Sequence, residues 1–86
     1  MVKYRIAIER KAEKEAENIP SSQRYKIDEA ILSLSEEPRP RKCKKLTHKE
    51  GYRIRVGDYR VLYTIDDKNK IVTVYRIKIK GKGTYK

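Results

Sequence analysis

The stretch that decides the fold is YRIRVGDYRVLY, residues 52–63 of a chain of 86 residues. In residues 52–56, apolar side chains alternate with arginines, which is the pattern of a β-strand with one buried face. Gly57 and Asp58 then form a two-residue turn, and apolar alternation resumes from Tyr59 to Ile65. The stretch therefore predicts a β-hairpin with its arginines on one face.

The flanking sequence extends this hairpin in both directions. Downstream, residues 66–70 form a polar turn, and a third strand follows at Ile71–Ile77. Upstream, residues 2–8 alternate as a strand, and residues 9–19 carry Ala and Ile at helical spacing. A second helix follows Pro20, with Ser21 or Ser22 as the predicted N-cap and an apolar stripe of Ile27, Ala30, Ile31 and Leu34.

These elements predict an α+β fold of order β-α-α-β-β-β. The run from Pro38 to Pro40 ends the second helix, and the residues after Pro40 have the patterns of strands and turns. An N-terminal helical hairpin is expected to pack on one face of a small antiparallel sheet. At this length, residues 1–86 are expected to form a single domain.

The net charge of +11 lies entirely in the second half of the chain. Residues 1–40 hold eight Lys/Arg and eight Asp/Glu, whereas residues 41–86 hold fifteen Lys/Arg and only four Asp/Glu. This asymmetry favours a surface that faces a polyanion, with nucleic acid the first candidate and an anionic membrane the second. A basic face that only serves solubility is the alternative.

The arrangement of the cations favours nucleic acid. Arg53 and Arg55 emerge on one face of a strand about 7 Å apart, and Arg60 on the next strand joins them. Guanidinium groups match phosphate oxygens and also stack on bases. Further candidates for RNA binding are Lys44, Lys45, Arg76, Lys78 and Lys82, with Tyr59, Tyr63 or Tyr85 available for stacking on bases.

Other chemistries find no support in the sequence. One cysteine, Cys43, and one histidine, His48, are too few for a structural zinc site, so neither a metal nor a cofactor is expected. No apolar run approaches the ~18 residues of a membrane span, and residues 1–4 do not resemble a signal peptide. A cytoplasmic protein without a membrane partner is expected.

The chain resembles the RelE-type toxins of the RelE/ParE toxin–antitoxin superfamily. Residues 38–40, 44–46 and 52–63 carry the likeness, and the opening strand and Ala-rich helix agree with it, so that it covers nearly the whole chain. The resemblance implies the toxin of a type II toxin–antitoxin system, held inactive in a hetero-oligomer by a RelB-like antitoxin. Free toxins of this type enter the ribosomal A site, cleave the mRNA there and inhibit translation, without a metal.

The resemblance also implies roles for individual residues. The implied catalytic residues are Arg53, Arg55, Arg60, Lys80 and Tyr85. Relatives often have lysines in place of the first two, and Tyr85 lies about one residue later than the usual terminal tyrosine. Because arginine cannot lose a proton near neutral pH, Arg53 and Arg55 are interpreted as charge-stabilising clamps. The general base is then sought in His48, Glu50, a lysine of the tail or the ribosome.

Two other functions are compatible with the sequence. The same fold hosts ParE-like toxins, which inhibit DNA gyrase without cleaving RNA. The third hypothesis is an inactive homologue that binds nucleic acid.

Overall fold

The computed structural model describes residues 3–47 and 49–79. The observed elements are β1 Arg5–Ile8, α1 Arg10–Glu17, α2 Ser21–Ser33, β2 Lys44–Lys45, β3 Tyr52–Val56, β4 Tyr59–Asp66 and β5 Ile71–Ile79. The α+β class and the predicted order of the main elements are therefore confirmed. The short strand β2 is an addition that the sequence pattern did not predict.

The five strands form one sheet in the order β1-β5-β4-β3-β2. Strands β2 to β5 are antiparallel to their neighbours, but β1 pairs with β5 in parallel, from Arg5 opposite Ile71 to Ile8 opposite Val74. The sheet is thus mixed and larger than the small antiparallel sheet expected. Periodicity identifies a strand but does not identify the strand with which it pairs. Parallel pairing requires a long crossover connection, and here the two helices form the first part of it.

The two helices cover one face of this sheet. Helix α1 packs against β5, and α2 packs against β3. The predicted helical stripes are buried or half-buried, and they meet alternate residues of the central strands. The buried core consists of Ala12, Ile19, Ile27, Ile31, Leu34, Ile54, Tyr59, Val61, Tyr63, Val72, Val74 and Ile77. Among the described residues, neither helix is long and apolar enough to cross a membrane.

The start of α2 differs from the prediction. Pro20 occupies the N-cap position, and its carbonyl accepts hydrogen bonds from the N–H groups of Gln23 and Arg24 at 3.0 and 2.8 Å. Ser21 is already the first helical residue, and no side chain caps the helix. The predicted serine cap is therefore wrong. Proline, whose fixed φ is compatible with this entry into the helix, begins it instead.

A β-bulge in β5 decides which of its side chains are buried. Leu62 pairs with Arg76 but Tyr63 pairs with Val74, so Tyr75 is the extra residue. Because a bulge shifts the alternation by one residue, Ile77 joins Val74 on the core face. Strict alternation would have directed Arg76 into the core and Ile77 away from it.

Two glycines allow the close turns around β3. Gly57 has φ of 60° at the first position of the two-residue turn between β3 and β4, where a type II′ turn requires this conformation. Gly51, just before β3, has φ of 125°, and a Cβ there would lie 2.8 Å from the carbonyl oxygen of Tyr63. Both positions therefore favour glycine.

The segment between α2 and β2 is fastened to the far end of the sheet. The hydroxyl of Tyr63 donates to the carbonyl oxygen of Pro38 at 2.8 Å. The guanidinium of Arg39 donates to both carboxylate oxygens of Asp67, at 3.3 and 2.8 Å, and to the hydroxyl of Tyr52 at 3.1 Å. Tyr4 donates to the same carboxylate at 2.6 Å. These four residues, Tyr4, Arg39, Tyr52 and Asp67, are called the Arg39 clamp below.

Candidate functional site

The face of the sheet that the helices leave open carries a cleft of about 280 Å³ near the β3–β4 turn. Its lining residues are Lys42, Lys44, Arg53, Arg55 and Arg60. The sequence predicted four of these five as functional residues. Within residues 3–47 and 49–79, no acidic side chain lines the cleft, which is called the basic cleft below.

Strand pairing brings the cations together. Lys44 on β2 lies opposite Arg53 on β3, and Arg55 lies opposite Arg60 across the hairpin. Directly opposed residues in a sheet have Cβ atoms about 5 Å apart, and successive residues of one face are about 7 Å apart along a strand. The alternate residues, such as Ile54, are buried against the helices. Because the apolar face of β3 is buried against the helices, the cations are held on the opposite face of the sheet.

The electrostatics of the basic cleft favour an anion. Unit charges about 7 Å apart repel by roughly 0.5–2 kcal/mol for effective dielectrics between those of water and of a protein surface. The Nε atom of Arg60 is buried, and no described residue accepts a hydrogen bond from it. A buried donor without a partner costs free energy unless a ligand supplies the acceptor. The geometry thus suits a phosphate, whose oxygens accept several hydrogen bonds.

Two predicted site residues lie away from the basic cleft. Lys45 follows Lys44 on β2 and is opposite Tyr52, so its side chain belongs to the other face. Glu50, a candidate base, lines a different cavity together with Lys45 and the Asp67 end of the sheet. The structure does not bring either of them to the arginines.

Two predicted residues of β5 have other surroundings. Arg76 donates from Nε to Oε2 of Glu15 at 2.9 Å, and the other oxygen of this carboxylate accepts the backbone N–H of Ile77 at 2.8 Å. This half-buried pair fastens α1 to the part of β5 that extends past β1. Lys78 lies opposite Arg60 in the sheet but lines the groove beside α1.

The remaining site residues, His48, Lys80, Lys82 and Tyr85, lie outside the described residues. The expectation that Tyr59 or Tyr63 stacks on bases is wrong, because both side chains are buried in the core. Burial also raises the pKa of the Tyr63 hydroxyl above its usual range. Both side chains lie on the core face of β4, as their alternation with Arg60 in the sequence already indicated.

Sequence reasoning missed one residue of the basic cleft, Lys42. It is exposed in the turn before β2, and its only signal in the sequence is its spacing of two residues from Lys44. Among the described residues, no group of three or more His, Cys, Asp or Glu side chains is arranged to hold a metal ion. The residues that line the basic cleft offer positive charge and N–H donors.

Comparison with known proteins identifies relatives of the whole fold. Residues 6–81 match the family model of the ParE toxin of type II toxin–antitoxin systems. A Methanocaldococcus jannaschii protein assigned as the toxin RelE1 is 27% identical over 89 residues, which cover 99% of this chain and 98% of that protein.

Solved structures give the same result. The toxin–antitoxin complex RelBE2 of Mycobacterium tuberculosis contains a chain with a TM-score of 0.83 and 28% identity, covering 92% of this chain and 100% of that one. The archaeal RelE–RelB complex of Pyrococcus horikoshii gives 0.80 and 29%, covering 94% and 99%. Isolated Escherichia coli RelE, at 23% identity and a TM-score of 0.78, shares the fold. The chain belongs to the RelE/ParE superfamily, whose members are the toxins of type II toxin–antitoxin systems.

Proposed function

We propose that this toxin is a ribosome-dependent endoribonuclease that cleaves mRNA in the A site and thereby inhibits translation. RelE-family toxins are typically ribosome-dependent RNases. The observation that carries the proposal is the basic cleft, in which the buried Nε of Arg60 has no acceptor among the described residues.

The arginines of the cleft suit the transition state of RNA cleavage. When a ribose 2′-oxygen attacks the neighbouring phosphate, negative charge grows on the phosphorane. The P–O5′ bond then breaks, a 2′,3′-cyclic phosphate remains, and the leaving 5′-oxygen takes up a proton. Arg53, Arg55 and Arg60 supply fixed positive charge and directed N–H groups at that point. Arginine keeps its proton, so it stabilises charge and does not remove the proton from the 2′-hydroxyl.

In this proposal the proton acceptor comes from elsewhere. Glu50 is the weakest of the candidates, since it lines the cavity at the Asp67 end of the sheet. His48, a lysine and the ribosome itself remain candidates for this role, and Lys80 and Tyr85 keep the catalytic roles that the family resemblance implies.

We further propose that the toxin is bound by a RelB-like antitoxin. The Mycobacterium and Pyrococcus relatives were crystallised with RelB antitoxins. A partner that supplies carboxylates to the basic cleft would neutralise its charge repulsion. The complex is then a hetero-oligomer in the cytoplasm.

Gyrase inhibition is the second candidate, and the match to the ParE family model favours it. Gyrase inhibition requires binding but no chemistry on a phosphate, so it does not account for the unpartnered Arg60 donor. The two functions differ in their targets, RNA on the ribosome and a DNA topoisomerase, and one pair of assays separates them.

The test is primer extension on mRNA from a reconstituted translation reaction, with and without the purified protein. We expect new 5′ ends of downstream mRNA fragments, at positions within codons in the A site, only when ribosomes are present, and fewer of them for Arg60→Ala. A DNA supercoiling assay with purified gyrase runs in parallel. Intact mRNA together with inhibited gyrase would establish the second candidate instead.

A further inference from the structure

The cations of the basic cleft stand in two rungs across the sheet. One rung joins Lys44 on β2 to Arg53 on β3, and the other joins Arg55 on β3 to Arg60 on β4. Arg53 and Arg55 are two residues apart on one strand, so the rungs are about 7 Å apart. Lys42 lines the same cleft from the turn that precedes β2.

Five cations exceed what one reacting phosphate needs. A phosphodiester carries one negative charge, and its phosphorane gains a second. Within residues 3–47 and 49–79 no carboxylate lines the cleft to balance the excess. The next phosphate of the same strand lies one nucleotide away, a separation comparable to that of the two rungs.

Each rung joins a half-buried arginine to an exposed cation, but the two rungs differ in one buried atom. Arg60 is half-buried, and its Nε is fully enclosed without a described acceptor. Lys42 and Lys44 are exposed. Interactions gain strength where water is excluded, whereas flexible exposed lysines act as point charges in the presence of salt. The rung that contains the enclosed Nε of Arg60 therefore suits the reacting phosphate. The rung beside the exposed Lys42 suits a phosphate that is only held.

We propose that the basic cleft binds two consecutive phosphates of one RNA strand. The scissile phosphate lies at Arg55 and Arg60, and its neighbour is bound by Lys42, Lys44 and Arg53. Lys42 and Lys44 then set the position of the strand, so that the correct phosphate meets Arg60. The inference rests on the proposed function only in taking RNA as the ligand.

The experiment measures the affinity gained from the second phosphate. The probes are 2′-O-methylated UpU, with one phosphate, and UpUpU, with two, and binding is followed by NMR titration at low salt. For the wild type we expect UpUpU to bind about three- to tenfold more tightly than UpU, a gain typical of charge-assisted contacts at exposed sites. In the double variant Lys42→Gln/Lys44→Gln this gain disappears, while UpU binding changes by less than about twofold.

The matched control is the double variant Lys11→Gln/Lys68→Gln. It removes the same charge from exposed lysines that do not line the cleft, so it should retain the gain from the second phosphate. Circular dichroism confirms that each variant is folded. With rising salt, the slope of log affinity against log salt for UpUpU should be smaller for the cleft variant by about 0.7 per lost contact.

Three results would overturn the inference: equal affinity of the wild type for UpU and UpUpU, a gain that survives in the cleft variant, or an equal loss in the control. A failure of the proposed function looks different. If the cleft variant loses the gain but the wild type leaves mRNA intact on ribosomes, the two-phosphate cleft stands and the endoribonuclease assignment falls.

Discussion

The basic cleft and the Arg39 clamp use the same kind of side chain at opposite ends of one sheet. Arg39 reaches two carboxylate oxygens of Asp67 and the hydroxyl of Tyr52, and its guanidinium lies 5.3 Å from the centre of the Tyr52 ring. Arg60 has no described acceptor for its buried Nε. The partners of an arginine, rather than its charge, therefore separate structural from functional roles.

The titration behaviour of the clamp follows from its contacts. Hydrogen bonds from Arg39 and Tyr4 hold the pKa of Asp67 at about 2. The same contacts raise the pKa of Arg39, chiefly through Asp67, and that of the Tyr4 hydroxyl, also chiefly through Asp67. The clamp is thus a network around one carboxylate, whereas no carboxylate of the described residues lines the basic cleft.

The largest effect is expected from Arg60→Ala. Loss of a charged group that faces the developing phosphorane should lower the rate of mRNA cleavage by about 10²–10³. The free energy of unfolding should change by about 0.5 kcal/mol or less, since Arg60 has no described ion-pair partner. Cleavage and thermal unfolding are measured on one preparation. A variant that cleaves at the wild-type rate would remove Arg60 from the mechanism.

Arg39→Ala should show the reverse pattern. The variant loses a bidentate ion pair and a cation–π contact at a half-exposed site, which together contribute about 1–2 kcal/mol. The melting temperature should fall by about 5–10 °C, while cleavage per folded molecule stays unchanged. Arg41→Ala is the control, because Arg41 is exposed and forms no ion pair with a described residue. An equal fall in both variants would show that the clamp adds nothing beyond general charge.

The clamp should also lose its contribution in acid. The pKa of Asp67 is lower in the folded protein, so its stabilisation is complete above the unfolded value near 3.8 and is lost as the pH falls towards about 2. Denaturant unfolding of the wild type and Asp67→Asn between pH 6 and pH 2 tests this. The difference in unfolding free energy should be constant down to about pH 4 and shrink below it. A difference that grows in acid would contradict the assignment.

The smallest effect is expected at Lys70, a cation of the clamp end. Lys70 has φ of 57°, and its Nζ lies 5.3 Å from the centre of the Tyr4 ring. Lys70→Asn relieves a backbone cost of about 1 kcal/mol but loses a contact of about 0.5 kcal/mol, so a net gain of about 0.5 kcal/mol is expected. Lys70→Ala loses the contact without relief and should be destabilising. Urea unfolding compares the two, and greater stability of the alanine variant would refute the argument.

Local pattern alone determined much of this protein. The alternation in residues 52–63 predicted the hairpin and placed Arg53, Arg55 and Arg60 on one face, because side chains of a strand alternate without regard to what pairs with it. The helical stripes likewise predicted which face of each helix is buried. The resemblance to RelE-type toxins, carried by the same stretch, agreed with the family later found.

Only the tertiary structure decided which partner each charge receives. The extra residue at Tyr75 re-directs Arg76, whose partner Glu15 lies 61 positions earlier in the chain. The parallel pairing of β1 with β5 and the pairing of Lys44 with Arg53 depend on neighbouring strands that no local window contains. Periodicity is a property of one segment, whereas pairing, bulges and ion pairs are decided by contacts between segments distant in sequence. For that reason the sequence could place the cations on a face but could not say which of them the fold leaves without an anion.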